Sequence, residues 1–213
     1  MLHSARQLPD LHWIALTAAG FAAGIAAALA LGEPIERLLP AALAATVFGM
    51  MVITIGSMCV AGAVLGASQW LELRRRLARP GWWIAATAFG LGFGISTGTA
   101  IVEHTGELIA GHPVRFVKLD VQMQLAALLV VGAVTGVFLG GAQALLLADT
   151  ASQRRWILRS LAATIIGFPL SLLITRGLVG RVDSLFAFAS FLVLSGGLVG
   201  VLTGAPVRRA AAA

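Results

Sequence analysis

Trp13-Ile14-Ala15-Leu16-Thr17-Ala18-Ala19-Gly20-Phe21-Ala22-Ala23-Gly24-Ile25 recurs as Trp83-Ile84-Ala85-Ala86-Thr87-Ala88-Phe89-Gly90-Leu91-Gly92-Phe93-Gly94-Ile95, with eight of the thirteen pairs identical at an offset of 70. A fainter third copy begins at Trp156-Ile157, with Ser160 in the place of Thr17 and Thr87, and Gly167 in the place of Gly24 and Gly94. Chance likeness among Ala/Gly-rich helices is the competing explanation, so a second set of copies carries weight. Between the tryptophan segments, Gly62-x-x-x-Gly66-Ala67-Ser68-Gln69 aligns with Gly136-x-x-x-Gly140-Gly141-Ala142-Gln143, and Gly200-x-x-x-Gly204-Ala205-Pro206-Val207 reads as the third member. Self-similarity at a fixed long period marks a repeated supersecondary unit. Here the unit is one helical hairpin. Three hairpins of two helices each keep the same orientation, which predicts a pseudo-threefold axis along the membrane normal rather than an inverted repeat.

The membrane reading rests on composition. Of 213 residues, 59% are hydrophobic and 11% charged, against roughly 25% charged in an ordinary soluble domain. A helix needs about 20 apolar residues to cross a hydrocarbon core of ~30 Å. Six windows meet that need: Leu11 to Gly32, Pro40 to Leu71, Gly81 to Val102, Val121 to Ala148, Trp156 to Thr175 and Ser184 to Val207. The expected fold is thus an all-α integral membrane protein with six transmembrane helices. It forms a single membrane domain over 1–213, with hairpins at approximately 11–73, 81–148 and 156–209. The first window is too long for a typical secretory h-region and reads as a spanning helix. Cys59 is the only cysteine, so neither an intramolecular disulfide nor a Cys-based zinc site can form.

The net charge of +6 does not point to nucleic acid, because the fourteen arginines and one lysine sit in short clusters between apolar segments. Basic residues stay on the cytoplasmic side during insertion. Arg74, Arg75, Arg76, Arg79, Arg154, Arg155, Arg208 and Arg209 fall on one side, joined by Arg6 and Arg159, against Arg37, Arg115, Lys118, Arg176 and Arg181 on the other. Both termini are therefore predicted cytoplasmic. Trp13, Trp70, Trp82, Trp83 and Trp156 fall at the same face, where an indole prefers to lie half buried with its N–H reaching water.

The stretch Gly66-Ala67-Ser68-Gln69-Trp70-Leu71-Glu72-Leu73-Arg74-Arg75, followed by Trp82-Trp83-Ile84, resembles a G-x-x-Q-W-x-x-L-R-R signature of uncharacterised bacterial multi-pass membrane proteins. The resemblance covers about 30 residues, with a decayed echo from Gly140 to Trp156. It implies a multi-pass protein of the bacterial plasma (inner) membrane and brings no activity with it. Mitochondrial carriers also have three two-helix repeats, but their proline-acid-basic signature is absent from the odd helices here.

Glycines at i, i+4 lie on one helix face, and close backbone approach at such faces supplies packing energy in lipid. Gly20/Gly24, Gly90/Gly94, Gly62/Gly66, Gly136/Gly140 and Gly200/Gly204 read as packing seams in preference to hinges. Polar candidates gather at the predicted inner mouth: Thr17, Gln69, Thr87, Gln143, Arg159 and Ser160. The three hydroxyls either ring the axis or bond their own i−4 carbonyls, while the amides read as interhelical links. Arg159 replaces Leu16 and Ala86 of the other copies and is expected to snorkel. The alternatives are an anionic lipid headgroup or a pair with Asp149 or Glu72. Pro169 should kink its helix by removing the bond to the Ile165 carbonyl. His104, Glu107 and His112 in the outer loop make a weak metal set.

Enzyme templates fail in turn. His12 and His104 lie at opposite faces and cannot share a haem, no histidine sits at depth beside a serine, and neither G-x-x-x-x-G-K nor H-E-x-x-H occurs. No catalytic residue, cofactor or metal is expected. A non-enzymatic structural or accessory membrane subunit is the preferred function, since mid-depth positions are mainly Ala, Gly, Leu and Val. The alternative is a small-solute, lipid or ion translocator with a path along the pseudo-threefold axis. Expected partners are the lipid bilayer, anionic headgroups and other subunits, identical or different, met through Gly-rich faces.

Overall fold

The computed structural model of the protein describes residues 11–44, 47–74, 77, 79–112, 119–147, 149–179 and 193–203. Among these, all regular structure is helical. The helices are α1 (Leu11–Arg37), the single turn α2 (Ala41–Ala44), α3 (Val47–Leu73), α4 (Gly81–Ala110), α5 (Val121–Ala144), α6 (Thr150–Val179) and α7 (Val193–Thr203). Five of them, α1, α3, α4, α5 and α6, are long and apolar enough to cross a membrane. The window from Ser184 to Val207 is represented by α7 alone, and its flanks lie outside the described residues, as do Gly204, Arg6, Arg75, Arg76, Arg115, Lys118, Arg181, Arg208 and Arg209.

Helix ends are set by local chemistry as well as hydropathy. Gly111 adopts φ 70° and its N–H bonds the Glu107 carbonyl at 2.9 Å, which closes α4 with the left-handed cap that glycine reaches without strain. As a result α4 runs eight residues beyond Val102. Asp120 caps α5 by accepting the Met123 N–H at 2.8 Å, and Asp149 caps α6 by accepting the Ser152 N–H at 2.8 Å. The Ser152 bonds hold the Asp149 carboxyl below its usual range. Because of that cap, α6 starts six residues before Trp156, and Arg159 lies in its third turn rather than its first.

Contacts run from each helix to the next, α1 to α3, α3 to α4, α4 to α5 and α5 to α6. The circle closes through α7, whose Gly196 and Gly200 face Ala18 and Ile14 of α1 and whose Leu198 and Val199 face Gly167 of α6. Neighbours are antiparallel throughout. The outer surface is apolar, with Leu29, Phe48 and Val137 each more than half exposed, a pattern that suits lipid rather than water.

Helix crossings are centred on glycine. A Cβ added at Gly24 would stand 2.4 Å from the Ala61 carbonyl oxygen, at Gly62 2.5 Å from that of Thr87, and at Gly94 2.7 Å from the Thr135 Cα. The obstacle in each case is backbone of the facing helix. Along the middle of the ring, Phe21 and Ile25 of α1, Leu65 of α3, Leu91 of α4, Val131 of α5 and Phe168 of α6 pack into one apolar core, with the Phe21 and Phe168 rings 6.2 Å apart.

Candidate functional site

At one end of the bundle Trp13, Trp83 and Trp156 come together with Leu73 and Ala144. All three indoles are at most 4% exposed, and Trp83 meets Trp156 edge to face at 5.4 Å. This corrects the interfacial reading for three of the five tryptophans. Only Trp82, 61% exposed, and the half-buried Trp70, under the Arg74 guanidinium at 5.6 Å, keep an interfacial exposure. The physical reason is that a buried indole N–H needs an acceptor, and side chains supply one in place of water.

Those acceptors are the amides singled out from sequence. Trp83 Nε1 donates to Gln69 Oε1 at 3.0 Å, and Trp156 Nε1 donates to Gln143 Oε1 at 3.1 Å. Each amide then uses its own N–H toward a threonine: Gln143 Nε2 to Thr87 Oγ1 at 2.9 Å, and Gln69 Nε2 to Thr17 Oγ1 at 3.5 Å. Thr87 Oγ1 donates in turn to the Trp83 carbonyl at 2.7 Å. A third tryptophan bond has a different acceptor, with Trp13 Nε1 donating to Thr203 Oγ1 at 3.2 Å. Gln69, Gln143, Thr17, Thr87 and Ser160 are all at most 4% exposed.

Of the two arrangements open to the hydroxyls, the bond to the i−4 carbonyl is made by Thr87. Each hydroxyl lies at a different helix crossing, Thr17 against Gly200, Thr87 against Gly66 and Ser160 against Gly140. Trp13, Trp83, Trp156 and Thr203 complete the arrangement and were not read as site residues from sequence. The available signal was the matching position of the tryptophans in the three copies.

Arg159 stands apart. It is partly buried, and among the described residues no group bonds it. The carboxylates considered as partners are engaged elsewhere, Asp149 in the α6 cap and Glu72 with His12 Nδ1 at 3.1 Å. At the opposite end Arg176 Nη2 donates to Gln124 Oε1 at 3.0 Å, tying α6 to α5. Pro169 lies inside α6. His104 and Glu107 are exposed on the last turns of α4 and His112 follows its cap, and among the described residues no three His, Cys, Asp or Glu side chains gather as a metal site.

On the outer face between α4 and α5 runs an apolar groove of about 530 Å³, floored by Ala85, Gly141 and Ala142 and flanked by Trp82, Phe89 and Leu145. A Cβ at Gly141 would meet nothing within 4 Å, in contrast to the glycines at the crossings. No family model, no curated protein and no solved structure matches this chain.

Proposed function

We propose that the chain is a six-span protein of the bacterial inner membrane, made of three hairpins about an axis along the membrane normal, and that it serves as a non-enzymatic structural or accessory subunit. The observation that carries the functional part is how the interior is used. Tryptophan, glutamine and threonine side chains at one end bond one another, and the middle is packed with Phe21, Ile25, Leu91 and Phe168. A polar solute would need free donors and acceptors converging on a path. The buried hydroxyls without a partner among the described residues, such as Ser57, Ser96, Thr135 and Ser195, are the observation that favours the translocator alternative.

Support for the three hairpins comes from corresponding contacts. Gly66 meets Ile84 and Thr87, Gly140 meets Ile157 and Ser160, and Gly200 meets Ile14 and Thr17. The third even helix thus enters the repeat with Gly196 and Gly200 in the places of Gly62 and Gly66, one turn earlier than the sequence alignment put it. α1, α4 and α6 all begin at the tryptophan end, as a rotation about the bundle axis requires. The glycine pairs serve crossings within the chain, which leaves the α4–α5 groove as the small-residue face for a partner's transmembrane helix. Arg159 and the exposed Arg79, Arg154 and Arg155 suit anionic headgroups at the tryptophan end.

A photoreactive residue at Ala142 should cross-link one polypeptide in mild detergent, and Gly141→Leu, which fills the groove, should abolish the product. Recovery of the chain with lipid alone, together with solute flux in proteoliposomes, would instead establish the translocator. For the topology, reporters fused after Arg79 and after Ala110 should lie on opposite sides, the first cytoplasmic. Agreement between them would remove the six-span scheme.

A further inference from the structure

The three tryptophan bonds are not equivalent. Gln69 and Gln143 each accept from one indole and donate onward to a threonine. In the third hairpin Thr203 accepts from Trp13 but gives its own proton to the Val199 carbonyl at 2.7 Å. A threonine hydroxyl sits one bond beyond Cβ, whereas a glutamine amide nitrogen sits three bonds beyond. Nothing from Thr203 therefore bonds Ser160, which holds the place of Thr17 and Thr87. Ser160 is 2% exposed, and its Oγ has no hydrogen-bond partner among the protein groups described.

Packing in the same seam supplies an independent observation. Between α1 and α3 a Cβ on Gly24 would come within 2.4 Å of the facing helix, and between α4 and α5 one on Gly94 within 2.7 Å. Between α6 and α7 the nearest described atom to a Cβ on Gly167 is 3.6 Å away. Ala163, fully buried, stands where Gly20 and Gly90 stand in the other hairpins. At Gly167, about two turns along α6 from Ser160, the α6–α7 seam is thus less tightly packed than the other two.

We propose that the α6–α7 seam is a water-binding site, in which an ordered water bridges Ser160 Oγ and Thr203 Oγ1 and takes the place of the missing glutamine amide. The water accepts from the Ser160 hydroxyl and donates to the second lone pair of Thr203. A buried water requires two or more polar partners and room beside them; Ser160 and Thr203 supply the first, and the looser contact of α7 at Gly167 supports the second. The proposal rests on the three-hairpin reading, which places Thr203 and Ser160 opposite each other.

The sign of one stability change tests it in the full chain in detergent. With a bridging water, Ser160→Ala strips the water of a partner and lowers the melting temperature, by about 2–4 °C on the scale of a chain this size. In a dry seam the same change deletes an unsatisfied hydroxyl, and an unchanged or raised melting temperature overturns the proposal. Thr203→Gln should raise the melting temperature and slow deuterium exchange at the Trp13 indole N–H, which in the wild type should exchange faster than those of Trp83 and Trp156. If Thr203→Gln stabilises while Ser160→Ala does too, the hairpin reading stands and the water is lost. If Thr203→Gln destabilises and leaves the Trp13 exchange unchanged, the register of the third hairpin is wrong and both fall.

Discussion

Gly90→Leu should abolish recovery of the folded chain, while Gly141→Leu should melt within about 2 °C of the wild type, a small shift for a chain of this length. Both residues are glycine, both lie in long apolar helices, and hydropathy treats them alike. They differ in what a side chain would meet. At Gly90 a Cβ would stand 2.5 Å from the Leu139 Cα and 3.0 Å from the Phe138 carbonyl oxygen. Neither atom can move without moving α5. That helix is also fixed against α4 at Gly94, facing Thr135, and at Gly98, facing Val131. Overpacking a core by a few methylenes costs about 1–3 kcal/mol even where flexible side chains can yield. Two helix backbones cannot yield separately, so the cost at Gly90 should consume most of a total stability on the order of 5–15 kcal/mol. Thermal unfolding in detergent, read by loss of monodisperse protein, measures both variants. A Gly90→Leu chain melting with the wild type would mean that α4 and α5 do not cross there.

Much of this arrangement was legible because lipid removes alternatives. The five long apolar helices and the small residues at i, i+4 follow from chain length, bilayer thickness and the need for close helix contact. The pairing of Gly24 with Ala61 or Gly66 with Ile84 was not legible, since a glycine stripe states that something approaches and leaves the partner open. The tryptophans misled for a physical reason. An indole near a helix end satisfies the interfacial pattern whether its ring faces lipid or turns inward, and only the presence of Gln69 and Gln143 across the seam decides between them. Hydropathy also ended helices where charge began, so the Asp149 cap and the turn and a half it adds to α6 went unseen. Near the C-terminus the alignment chose Gly200 and Gly204 because Gly204-Ala205 copies Gly66-Ala67; Gly204 lies outside the described residues, and Gly196 and Gly200 face Ala18 and Ile14 of α1. Short Ala/Gly matches carry too little information to fix a register by themselves.

Gln143→Leu should lower stability by about 2 kcal/mol, within the cost of leaving a buried donor unmet, and Trp156→Phe added to it should restore roughly half. The size follows from which of two effects dominates. A hydrogen bond between helices in lipid contributes on average only about 0.6 kcal/mol, because the separated helices find other partners. By that measure the change would be hard to detect. But Gln143 is the acceptor for Trp156 and the donor to Thr87, and Trp156 and Thr87 are at most 4% exposed. Thr87 keeps its bond to the Trp83 carbonyl at 2.7 Å and loses little. Trp156 keeps nothing, because an indole has one donor and no alternative acceptor is bonded to it. The desolvation cost of that N–H therefore sets the loss, and phenylalanine removes the donor while retaining the ring against Trp83. Chemical unfolding of the two single variants and the double gives the coupling directly. If Gln143→Leu and Trp156→Phe prove additive, the indole and the amide do not depend on each other, and the polar end of the bundle is not a connected network.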